Sequence, residues 1–155
     1  MNIKQLCVFL LKANQAGYAS GNSKKWIKEK DKSTTIVFKS GNWKMHDSFF
    51  GGEPYGGREV VFYKTKPFWI MVYYGRVKKR INPKEIYPFL QKALSRMPKN
   101  APYRGPKSLA EKPFRYTNQW EGTIDGFSGQ ESIYKNKTQL YRANYIGGLV
   151  DQRKG

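Results

Sequence analysis

Residues 46–59 read His46-Asp47-Ser48-Phe49-Phe50-Gly51-Gly52-Glu53-Pro54-Tyr55-Gly56-Gly57-Arg58-Glu59. They hold the chain's only histidine, three carboxylates, one arginine and four glycines within 14 residues. An imidazole titrates near neutral pH, so His46 with Asp47, Glu53 or Glu59 could supply the acid/base chemistry of a hydrolase-like enzyme. Neighbours in a strand point to opposite faces, so His46 and Asp47 are not expected to form a dyad with each other. The glycines allow close backbone approach to a ligand. Their spacing fits neither the phosphate-loop nor the dinucleotide pattern, and a tight connection between strands explains them as well. His46, Asp47, Glu53 and Glu59 are therefore candidates, and a catalyst is not the preferred reading. No metal site is expected, because one cysteine and one histidine cannot hold zinc and no carboxylates stand at ligand spacing. No cofactor motif is read either.

Aromatic residues offer a second kind of site. The chain has 11 Tyr, 9 Phe and 4 Trp in 155 residues. Trp43, Phe50, Tyr55, Trp69, Tyr73 and Trp120 could line a small-molecule pocket, with Arg58 or Glu59 fixing the ligand's orientation.

Charge suggests a third. The net charge is +18, with 12 Lys/Arg against 5 Asp/Glu in residues 1–75 and 17 against 6 in residues 76–155. Such a field attracts polyanions. The densest clusters are Lys24, Lys25, Trp26 and Lys28, and then Arg76, Lys78, Lys79 and Arg80. Cations beside an aromatic suit a single-stranded nucleic acid, where phosphates meet charge and bases stack. A solvated loop with Trp26 folded back on the core is the plainer alternative.

The elements that must position these residues follow from periodicity. Residues 3–15 and 83–97 carry apolar stripes at helical spacing. Asn82-Pro83 opens the second stripe, and Pro88 should kink that helix or move its start to 88. Strand-like runs cover 34–39, 43–49, 59–63, 68–74, 114–121, 131–134 and 139–146. Ser40-Gly41-Asn42 and Asn136-Lys137 read as turns. Similar spacings recur along the chain: Phe9-Leu-Leu-Lys-Ala13 with Phe89-Leu-Gln-Lys-Ala93, Tyr18-Ala-Ser-Gly21 with Tyr103-Arg-Gly105, Asp47 with Asp125, and Glu59 with Glu131. The recurring carboxylates could pair as acid and base, or simply cap turns and meet lysines.

These spacings predict one α+β domain over 1–155 with an internal duplication. Each unit is a helix plus a three-to-four-stranded antiparallel meander, at about 3–76 and 83–150. The two units are expected to form one curved sheet with helices on one face.

With Tyr18-Ala-Ser-Gly-Asn22, the 46–59 segment and Tyr145-Ile-Gly-Gly-Leu-Val-Asp-Gln152 in view, the chain resembles an uncharacterised bacterial domain-of-unknown-function family over about residues 8–152. Members of that family stand alone or follow a helix-turn-helix of the xenobiotic-response type; no such segment is read ahead of residue 8. The resemblance implies a sensory or effector module linked to transcriptional control and carries no catalytic residues.

The lone cysteine, Cys7, permits no internal disulfide, and no run is long enough to span a bilayer, so a cytoplasmic protein without a membrane partner is expected. The leading expectation is a basic domain for an anionic partner, foremost nucleic acid. A small-molecule sensor with an aromatic pocket comes second and an acid/base enzyme third. Oligomeric state is not legible.

Overall fold

The computed structural model describes residues 2–21 and 25–153. Helix α1 spans Ile3–Ala16, and the Asn2 side chain caps it by accepting from Lys4 N at 2.9 Å. Leu6, Phe9, Leu10 and Ala13 lie on one stripe and are buried. A short 3₁₀ turn, Tyr18–Ser20, follows. Helix α2 spans Pro83–Leu94 behind an Asn82 cap and buries Ile86, Phe89, Leu90, Ala93 and Leu94. It does not begin at Pro88. That proline sits early in the helix, is exposed, and withdraws only the one backbone donor that would have reached Lys84's carbonyl.

Nine strands complete the chain: β1 Ile27–Lys28, β2 Thr34–Ser40, β3 Trp43–Phe50, β4 Tyr55–Tyr63, β5 Lys66–Val77, β6 Ser108–Glu111, β7 Phe114–Thr123, β8 Gly126–Lys135 and β9 Thr138–Leu149. All neighbours are antiparallel, in the order β1-β2-β3-β4-β5-β9-β8-β7-β6. The two outermost strands are the shortest, which limits the exposed hydrogen-bonding edge.

This overturns the expected fold class. In place of two duplicated helix-plus-meander units forming a curved sheet with helices on one face, the chain makes a single large antiparallel sheet accompanied by two helices. The reason lies in β5 and β9. They pair from Trp69 opposite Leu149 to Val77 opposite Tyr141, so strand pairing runs unbroken through the place where a seam was expected. The glycine-rich segment divides: Gly51 and Gly52 lie in the connection between β3 and β4, whereas Gly56 and Gly57 belong to β4.

Alternation along the strands sorts side chains onto two sides of the sheet. On one side α1 joins Ile36, Met45, Val61 and Trp69 in one apolar cluster. The residues of α2 join Val77, Tyr116, Ile133, Leu140 and Tyr141 in another. A cavity opens where these clusters meet. No helix among the described residues is long and apolar enough to cross a membrane.

Candidate functional site

The cavity is about 290 Å³, and strands β3, β4 and β5 supply its floor. Asp47 on β3 stands directly opposite Glu59 on β4, which stands opposite Met71 on β5. Two residues along, the next row is Phe49, Gly57 and Tyr73. A Cβ on Gly57 would lie 2.7 Å from the Tyr73 hydroxyl, and one on Gly75 would lie 2.6 Å from the Tyr55 ring. Glycine is therefore needed in these strands so that two tyrosines can lie over the sheet. The walls come from α1 through Asn14, from α2 through Tyr87 and Gln91, and from Trp26, Tyr103 and Arg104. Trp26 stacks on Tyr18 at 5.9 Å between ring centroids and meets Phe49 edge-on at 5.8 Å.

The electrostatics of the floor are unusual. Asp47 is 9% exposed and accepts a short hydrogen bond from the Tyr73 hydroxyl. Glu59 has no hydrogen-bond partner among the described residues. Opposed residues on antiparallel strands hold their Cβ atoms about 5 Å apart, so the two carboxyls share one small space. Burial raises the pKa of both, the charge of Asp47 raises Glu59 further, and Arg104 works against both shifts. Such a pair titrates as a unit, with both carboxyls held above the ordinary carboxylate range. It therefore keeps a proton to higher pH than an isolated carboxyl does. Burial and the neighbouring Asp47 also push the Tyr73 phenol well up, which keeps it a donor.

Arg104 does not neutralise the pair, because its guanidinium is committed to Glu131. Nε donates to Glu131 Oε1 at 3.0 Å, and Nη2 makes a second, shorter contact with the same oxygen. The Tyr116 hydroxyl donates to Glu131 Oε2 at 2.5 Å, and the Tyr141 hydroxyl to Oε1 at 3.0 Å. Tyr55 bonds Tyr141 and lies 3.4 Å from Arg104 Nη2. The guanidinium also sits over the Tyr73 ring, 5.5 Å from its centroid. A charged tyrosine–arginine–glutamate network thus borders the cavity beside a carboxyl pair that lacks a counter-ion.

Of the acid/base candidates, Asp47 and Glu59 meet in this cavity. His46 does not. It points to the other side of the sheet, where its ring meets Phe62 edge-on at 5.5 Å. Burial first, then Lys44, Lys39 and Arg58, hold its pKa below the usual histidine range. Glu53 is exposed and is taken by Val77 N at 2.7 Å and by the Tyr87 hydroxyl. The recurring carboxylates do not pair either: Asp125 bonds Thr123 in an exposed turn, and Glu131 belongs to Arg104.

Of the pocket candidates, Tyr55, Glu59 and Tyr73 line the cavity. Trp43 packs on Phe9 and Phe68, and Trp69 is fully buried with its indole N–H donating to Ile124 O at 3.0 Å. Trp120 meets Tyr103 edge-on outside the cavity. Phe50 and Arg58 are exposed.

The nucleic-acid candidates scatter. Lys24 lies outside the described residues. Lys25 is exposed, Lys28 donates to Thr34 Oγ1 at 2.8 Å, and Trp26 is a cavity wall rather than a free ring. Arg76 is the last residue but one of β5, with Lys78, Lys79 and Arg80 in the connection to α2, and three strands separate them from β1.

Sequence reasoning missed Arg104, Phe49, Tyr18, Tyr87, Tyr103 and Tyr141. Two weak signals were available. Met45, Asp47 and Phe49 alternate and must share a face, and the single arginine in the buried run Ala101–Gly105 needs an acid.

Fold and site together define an antiparallel-sheet domain with an internal, ligand-sized cavity. The chain belongs to the family described as Domain of unknown function (DUF5680), whose profile matches residues 47–150. The matched span starts at Asp47 and includes Glu59, Tyr73, Arg104 and Glu131. No curated protein and no solved structure matches the chain.

Proposed function

We propose that this domain is a small-molecule sensor whose cavity takes a compact organic cation, an amine or guanidinium carried on an apolar or aromatic body. One observation carries the reading: Glu59 stands unpartnered opposite Asp47 in an aromatic-walled cavity, while the nearby arginine is consumed by Glu131. A bound cation supplies the missing counter-charge, and Trp26, Phe49 and Tyr73 supply ring faces for it. The cavity is at the small end for ligand sites, so the ligand is small. The resemblance to bacterial modules that follow helix-turn-helix segments supports an effector role in the cytoplasm, with binding passed on to transcriptional control.

Calorimetric titration with benzylamine, benzyl alcohol and benzoate tests this. Benzylamine should bind best and should release a proton near pH 7, because it draws the last proton off the carboxyl pair. Glu59→Gln should abolish that preference. Equal binding of the alcohol, or benzylamine binding unchanged in Glu59→Gln, would overturn the reading.

A second reading rests on the same pair. Two carboxyls with separated titrations can divide acid and base roles. It predicts a bell-shaped rate profile that collapses in both Asp47→Asn and Glu59→Gln, with His46→Gln unaffected.

A further inference from the structure

The opposite side of the sheet carries a different set of side chains. In register across β5, β9, β8 and β7 stand Tyr74, Asn144, Gln130 and Gln119. All four are exposed, Tyr74 at 53%, and none of the three amides makes a side-chain hydrogen bond among the described residues. Along one flank of this row run Arg76 and Arg142, directly opposite each other and exposed. Along the other run Arg58, Val72 and Ile146, with Ile146 62% exposed. Lys39, Lys44 and Arg115 extend the positive charge toward the edges. Among the described strand residues, Glu121 is the one carboxylate on this side.

An exposed ring, a line of free amides and a parallel line of guanidinium groups are three parts of one recognition surface. We propose that this face binds single-stranded nucleic acid laid across the strands. The phosphates follow Arg76 and Arg142. One base stacks on Tyr74, and its neighbours present their edges to Asn144, Gln130 and Gln119. The row spans three inter-strand steps, roughly 15 Å, which accommodates a few nucleotides. Charge selects this occupant: a second copy would bring the same arginine rows face to face, whereas a polynucleotide matches both charge and aromatic. A duplex would hide its bases and use only the arginines. The proposal is independent of the cavity, and of the two basic clusters in the sequence it uses Arg76 alone.

Fluorescence anisotropy with a labelled short random single strand, at about 50 and about 150 mM salt, tests it. Binding should persist at the higher salt. Tyr74→Ala should weaken it about tenfold with the salt slope unchanged. Arg76→Gln with Arg142→Gln should lower the slope by about 2. All three side chains are exposed, so unchanged thermal melting confirms that the variants fold. Glu59→Gln should bind the oligonucleotide as the parent does, which separates this outcome from that at the cavity. Binding confined to low salt, a duplex bound as tightly as the single strand, or a Tyr74→Ala variant that binds normally would each overturn the proposal. So would light scattering that shows a dimer dissociated by Tyr74→Ala.

Discussion

Two glutamates sit in the same sheet on the same side, and the fold treats them oppositely. Glu131 on β8 is 0% exposed and receives Arg104, Tyr116 and Tyr141. Glu59 on β4 lines a cavity, receives nothing and faces Asp47. A buried carboxylate costs several kcal/mol unless it is paired, and Glu131 is supplied from three different elements. That supply makes it structural. Glu59 tolerates its position by holding its proton, which leaves it available to a ligand. The lesson is about partners rather than burial: what distinguishes a site from a strut is whether the chain has already satisfied the group.

The largest expected effect tests the strut. Arg104→Met strands Glu131 as an uncompensated charge and should cost about 3–5 kcal/mol in urea denaturation. Combining it with Glu131→Met should recover much of that loss, because the isolated charge goes too. A cost near zero for Arg104→Met would dissolve the distinction between the two glutamates.

Glu59→Gln tests the other side of the comparison and should have the opposite sign. Both cavity carboxyls have native pKa values above their ordinary ones of 3.8 and 4.5. Between about pH 4 and pH 8 the folded chain therefore binds more protons than the unfolded chain, and stability falls as pH rises through that window. Glutamine cannot ionise, so the fall should flatten. At about pH 9 the variant should be more stable than the parent by about 1–3 kcal/mol, with little difference at about pH 4. Melting temperature against pH reads this directly, and a variant less stable at high pH would show that Glu59 has a partner after all.

Tyr73→Phe probes the other member of the pair and should cost a similar amount at neutral pH. It removes the single hydroxyl that Asp47 accepts and leaves that carboxylate unpaired, at about 1–3 kcal/mol. It should also raise the lower of the pair's two apparent values, because the hydrogen bond favours the ionised form. Titration of the Asp47 side-chain carbon by NMR would follow it.

Half of this comparison was legible in the sequence and half was not. Asp47, Glu59, Tyr55 and Tyr73 were singled out because alternating patterns and residue chemistry are local properties. So were both helices and the turn at Ser40-Gly41-Asn42. The partner of Glu131 was not legible, because Arg104 lies 27 residues away in a segment without period, and only the tertiary fold brings the two together. Trp26 stood between two readings for a similar reason. Lysines around it allowed either an exposed ring or one folded back on the core, and Tyr18 and Phe49 draw it onto the cavity. Register decided the rest. Asp47 meets Glu59 only because residues 51–54 connect β3 to β4, and a slip of one residue would have put His46 opposite Glu59.

That register makes the smallest effect informative. His46→Gln changes the one imidazole in the chain, the residue that sequence chemistry marks first. It lies across the sheet from Asp47 and Glu59 and is held below the usual histidine pKa by burial and nearby cations. Its ring contact with Phe62 is modest, so stability should shift by no more than about 1 kcal/mol. Benzylamine affinity and the pH dependence of melting should both match the parent. A changed pH profile in this variant would mean that the two sides of the sheet are electrostatically coupled, and the cavity pair could then no longer be treated as a closed two-proton system.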